Sequence, residues 1–194
     1  AKALARLIER SRGGEVGDYI CLCQSFGLSP DDRLRDLFIQ SGMLDALAKM
    51  AEAGPSAPGY YGVVATVQLL SVYGTDEHRS AVRGGKALGC LIGWLNKGRL
   101  ADGNEIKLRT LWLVACFADV IEARDAVQDV VTRLGGDVGT AATAASQLSM
   151  ITRYPLKFPG AKVAHEKKAL PALLALLKSD EHATAHQAAL GCVY

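Results

Sequence analysis

Two histidines four residues apart, His182 and His186, are the first residues in this chain whose types suggest chemistry. On a helix that spacing sets both imidazoles on one face, where they can share a metal ion. A closed zinc site needs further donors. No cysteine or carboxylate is spaced to complete one, and His182 sits in a polar corner that begins at Lys178-Ser179-Asp180. Cys21 and Cys23 lack the two-residue spacer of zinc knuckles, and on a helix their thiols would point about 200° apart. The Gly-Gly pairs at 13–14, 84–85 and 135–136 are not part of a phosphate-binding loop, and no Gly-x-Gly-x-x-Gly follows a strand. They read as helix breaks. No Ser or Cys stands in a nucleophile turn with a base nearby in sequence. The reading is a non-catalytic chain with no metal, no cofactor and no small-molecule substrate.

Bulk properties narrow the partners. The 194 residues are enough for one sizeable core, and apolar residues make up 49%. Aromatics are only 6%, so Leu, Val, Ile and Ala must fill that core. A net charge of +2, from 22 basic and 20 acidic residues, is no electrostatic footprint for nucleic acid. No apolar run approaches the roughly 18 residues of a membrane span. The opening Ala-Lys-Ala-Leu-Ala-Arg does not read as a secretory signal. Five cysteines, an odd number in mostly apolar surroundings, fit reduced thiols in an intracellular, cytoplasmic setting.

The elements that would position any surface come from periodicity. The stretch Ala169-Leu170-Pro171-Ala172-Leu173-Leu174-Ala175-Leu176-Leu177 is an apolar helix with a proline early, where a missing N–H costs little. Its pattern recurs around Leu4, Leu44, Leu88 and Val127, at separations of 40, 44, 39 and 43 residues up to Leu170. Such a period is that of stacked helical modules. Each copy follows a short polar helix (31–40 or 76–82) and a glycine break, and precedes a longer apolar helix such as 105–120. No stretch alternates with period two, so the chain reads as all-α. Modules are expected at about 1–30, 31–75, 76–121, 122–153 and 161–194, the last incomplete, within a single domain spanning 1–194. The small-residue run 139–146 reads as a site of close helix contact. Tyr60 and Tyr61 divide evenly between exposed contact and packing. The run 162–168, Lys-Val-Ala-His-Glu-Lys-Lys, reads as a solvated helix, with an acidic partner contact as the sharper alternative.

These residues resemble the armadillo-repeat family. The match runs through Ala169, Leu170, Pro171, Leu173, Leu174, Leu176, Leu177, Ser179, Ala188 and Ala189, and through Trp112, Val114, Phe117 and Ala118 for the end of the module. The resemblance implies a right-handed α-solenoid of about four to five armadillo-like three-helix repeats. It implies a concave surface lined by the third helices, where the expected contact residues are Gln68, Val72, Arg109, Trp112, Cys116, Asp119, Gln147 and Met150. In peptide-binding members an Asn on each third helix bonds an extended peptide's backbone. Here that position falls on Val72, Cys116 and Met150, none of which carries an amide.

The function expected from this is a protein-interaction scaffold or adaptor. Its partner is another protein, with a helix or folded domain favoured over an extended peptide, and with neither nucleic acid nor a membrane span involved. Two rival readings are a nucleotide-exchange cofactor of heat-shock chaperones of the seventy-kilodalton class and a structural subunit of a large cytoskeletal or organellar assembly.

Overall fold

The computed structural model describes residues 31–101, 104–153 and 157–178, with Gly27 and Ser29. The module expected at 1–30, the Cys21/Cys23 pair, His182, His186 and the chain end at Tyr194 lie outside those residues, Gly27 and Ser29 apart. Among the described residues there are ten α-helices and no strand. They gather into two compact units that divide between Leu100 and Ala101.

The first unit holds α1 (Asp32–Gln40), α2 (Met43–Glu52), α3 (Tyr60–Tyr73), α4 (Asp76–Gly84) and α5 (Lys86–Asn96). Asp31 caps α1 by accepting from Arg33 N at 3.0 Å. Gly42 then takes a left-handed turn, φ +73°, which a side chain would resist, and α2 begins at once. Equivalent helices stack: α4 packs on α1 and α5 packs on α2. Along the second contact Leu47, Ala48 and Ala51 of α2 and Leu88, Leu91 and Ile92 of α5 are buried. Each large aliphatic side chain in that layer contributes roughly 1.5–3 kcal/mol of transfer free energy. Nine of the fourteen residues of α3 are buried, since it packs against α2, α4 and α5.

Polar contacts lock the stack. The Trp94 indole Nε1 donates to Ala51 O at 3.0 Å, across 43 residues of sequence. His78 lies across 42 residues from Asp36, with Nε2 2.9 Å from its carboxylate. His78 is 2% exposed, and its Nδ1 accepts from Thr75 N at 3.0 Å while Thr75 Oγ1 accepts from His78 N. A backbone N–H only donates, so Nδ1 is bare and Nε2–H faces Asp36. The same side chain thus closes a capping box on α4 and joins α4 to α1.

The second unit holds α6 (Glu105–Cys116), α7 (Ile121–Arg133), α8 (Val138–Thr152), α9 (Gly160–Glu166) and α10 (Ala169–Leu176). Helix α8 is its centre, packing on α6, α7 and α9. Its run of small residues is what lets three neighbours approach: Ala141, Ala144 and Ala145 are buried. Arg124 of α7 reaches Glu166 of α9, again across 42 residues. Three joints spanning 42 or 43 residues carry the module period into side-chain contacts. Two details depart from the sequence expectation. The helix expected over 105–120 stops at Cys116, because Phe117 leaves helical geometry at φ −126°. In the module at 122–153, one continuous α7 replaces the expected short first and second helices, since no glycine interrupts 121–133.

Candidate functional site

The third helix of each module, α3 in the first unit and α6 and α8 in the second, carries the residues marked by the sequence. On α3, Gln68 and Val72 are half-buried. They lie four residues apart on one face, which Tyr61, seven residues before Gln68, extends as an exposed side chain. Tyr60 turns the other way and is buried.

On α6, Asn104 caps the helix by accepting from Ile106 N at 2.8 Å. Arg109 and Trp112 are both half-buried, three residues apart on one side. Arg109 Nη2 donates to Glu105 Oε1 at 2.8 Å and its Nε to the same oxygen at 3.1 Å, which aligns the guanidinium along the helix. Cys116, one turn after Trp112, is buried. Asp119 is exposed, but it lies beyond the helix end, so helical spacing does not carry it onto the Trp112 face. On α8, Met150 is half-buried. Gln147 is buried, and its Oε1 accepts from Arg133 Nη2 at 2.8 Å. Arg133 in turn donates through Nε to Asp129 at 2.9 Å. Gln147 therefore braces α8 on α7.

The structure thus offers Gln68 and Val72 on one unit, and Arg109, Trp112 and Met150 on the other, as accessible side chains. It places Cys116 and Gln147 in the packing. Val72, Cys116 and Met150, where the resemblance led us to expect the Asn of peptide-binding members, are a half-buried valine, a buried thiol and a half-buried methionine. None of these gives the paired donor and acceptor that an extended backbone needs.

Little here resembles an activated chemical group. Burial, with Glu52 adding to it, pushes the Cys90 thiol above its ordinary value, which disfavours the nucleophilic thiolate. Neither Cys90 nor Cys116 forms a disulfide. Among the described residues no three His, Cys, Asp or Glu side chains gather as a metal site. No described helix is long and apolar enough to cross a membrane.

Sequence reasoning passed over His78. The signal was present as Thr75-x-x-His78, a capping-box spacing with His in place of the usual Glu or Gln.

No protein-family model and no curated protein matches the sequence. Solved structures do match. A designed armadillo repeat protein in complex with the peptide (KR)4 superposes with a TM-score of 0.62 at 15% identity, over 97% of this chain and 80% of that one. An engineered protein solved by a structural genomics consortium superposes with a TM-score of 0.59 at 17% identity, over 97% of this chain and 77% of the other. The chain has an armadillo-like α-solenoid fold.

Proposed function

We propose that this protein is a non-catalytic scaffold that holds another protein against the side chains of its third helices. A repeat fold of this type builds a preorganised surface, so little ordering entropy is lost when a partner binds. Trp112 is the natural anchor, a large half-buried aromatic beside the aligned guanidinium of Arg109. Within the second unit Met150 supplies a further contact, and in the first unit Gln68 and Val72 offer a contact face of their own. Asp119 is a rim charge, and Cys116 and Gln147 support the surface from beneath.

What supports the choice of partner is that the positions the resemblance equates with the family's Asn hold Val72, Cys116 and Met150. Each missing amide removes hydrogen bonds worth about 1 kcal/mol apiece to an extended peptide. Apolar side chains there favour a partner that brings its own satisfied backbone, a helix or a folded domain. Cys90 and Cys116, neither of them in a disulfide, fit a reducing, intracellular setting.

A display experiment with two libraries tests this, one of extended peptides and one of constrained helices. Binders are expected from the helical library, with affinity reduced at least tenfold by Trp112→Ala, and none from the extended one. Saturable binding of an extended (Lys-Arg)4 peptide by this chain would sink the reading.

A further inference from the structure

The His78 ring makes two contacts that answer differently to a proton. Its Nε2–H meets the Asp36 carboxylate of α1 at 2.9 Å, and its bare Nδ1 accepts from Thr75 N at 3.0 Å. The side chain is buried, so each nitrogen depends on a protein partner. A proton added at Nδ1 turns that acceptor into a donor. Two N–H groups would then face each other across 3.0 Å, and one must turn away.

A second acceptor stands beside the first. Thr75 Oγ1 lies 3.3 Å from Nδ1. It already accepts from His78 N at 3.4 Å. Its own proton goes to the Glu77 carboxylate, and that hydrogen bond holds the Glu77 carboxyl below its ordinary value. The hydroxyl therefore keeps one lone pair for an Nδ1–H.

The charges on the packed elements fit a ring that can carry a proton. On α1, Asp36 meets the ring, Asp32 pairs with Arg35 at 2.5 Å, and Arg33 is exposed. On α4, Asp76 engages Arg79, and Arg83 stands in the last turn. Helix α3 brings only tyrosines, and α5 only Lys86 and Cys90. Among the described residues, the carboxylate that reaches the ring from a neighbouring helix is that of Asp36. Its attraction for an imidazolium offsets the loss of the bond from Thr75 N.

We propose that His78 is a proton switch on the first turn of α4. Uptake of a solvent proton at Nδ1 moves that nitrogen from the Thr75 N–H to the Thr75 hydroxyl. The Thr75 N–H is released, and the Asp36 contact becomes an ion pair. Acid thus opens the cap while keeping α4 on α1. The segment set loose is Gly74–Thr75, between α3 and α4, with Gly74 O still held by Arg79 Nη1 at 2.7 Å. The switch is built within the first unit and does not depend on a partner at the third-helix side chains.

Nuclear magnetic resonance of the full nitrogen-15-labelled chain tests this. At alkaline pH the ring should show a bare Nδ1 and a protonated Nε2. As pH falls, ring protonation and the Thr75 amide shift should follow one transition. Thr75 protection from exchange should drop several-fold across it, the worth of about one hydrogen bond. The Val82 amide, later in the same helix, should keep its protection. Asp36→Asn removes the charge that favours the imidazolium, so it should move the transition to lower pH. His78→Gln supplies the capping-box acceptor without a titrating ring, so Thr75 should stay protected at every pH. An Nδ1–H ring at alkaline pH, a ring that stays neutral until the chain unfolds, or a Thr75 amide indifferent to the ring would each overturn the proposal. So would a transition left in place by Asp36→Asn, or loss of protection at Val82 together with Thr75, which means that α4 unfolds as a whole. The titration of the native chain decides the matter even where His78→Gln fails to fold.

Discussion

Tyr60 is 1% exposed, and its hydroxyl has no hydrogen-bond partner. Burial, with the nearby Cys90 adding to it, pushes that hydroxyl far above its ordinary value, so it stays neutral at any working pH. An unpartnered buried hydroxyl costs about 1–3 kcal/mol. Tyr60→Phe removes it and keeps the ring, so the variant should be more stable by about 1 kcal/mol, read as a higher denaturant midpoint at unchanged slope. A lower midpoint would mean that the hydroxyl is satisfied. Residue by residue, legibility was uneven. Tyr60 and Tyr61 are identical neighbours after a Pro/Gly loop, so composition carries no phase, and only the seating of α3 decides which one turns inward. Trp112 was legible as a special aromatic because it broke a run of aliphatics. The fate of Gln147 was not, because its partner Arg133 lies on another helix.

At the scale of elements, glycines and caps govern the outcome. A Cβ on Gly160 would stand 2.3 Å from Ile151 O and 3.1 Å from Ala115 Cα, so α9 enters the second unit by backbone-to-backbone approach. Gly160→Ala should destabilise by about 3 kcal/mol, more than a typical overpacked site, because backbone cannot rotate away. Gly89 lies exposed within α5 with nothing within 4 Å of its built Cβ. Gly89→Ala should therefore stabilise by about 0.5–1 kcal/mol. Thermal melts of the two variants moving in the same direction would contradict this account. The cap of α8 makes a pH prediction. Asp137 accepts from Thr140 N at 3.0 Å and from Thr140 Oγ1 at 2.8 Å, which holds its carboxyl below its ordinary value. A depressed carboxylate stabilises the folded state above its unfolded pKa, and that contribution fades as pH falls through the lowered folded value. Exchange protection of the Thr140 amide should follow this acid limb in the native chain. Asp137→Ser should keep the cap and abolish the limb. Periodicity made most of these helices legible in advance. What it missed were ends: α6 stops early at Phe117, and α7 runs unbroken where a break between two short helices was expected.

For the whole molecule, the division near Leu100 has a mechanical consequence. A module array is stabilised by each helix's immediate neighbours, so damage spreads locally before it spreads globally. Leu47 is fully buried between α2 and its neighbours. Leu47→Ala should cost about 2–5 kcal/mol and strip hydrogen-exchange protection first from the helices of 32–96. Equal loss across 105–176 would show one indivisible cooperative unit instead. By itself the sequence determined the all-α class and the period of a little over forty residues. These follow from apolar spacing, which any helix must obey wherever it is placed. Tertiary structure alone decided which marked side chains stay accessible, that Cys116 and Gln147 turn inward, and that His78 bridges α1 and α4. It also decided that Leu170, Leu174 and Leu177 are exposed. The reason is that exposure belongs to a residue's neighbours across forty positions of sequence, and no local pattern records them.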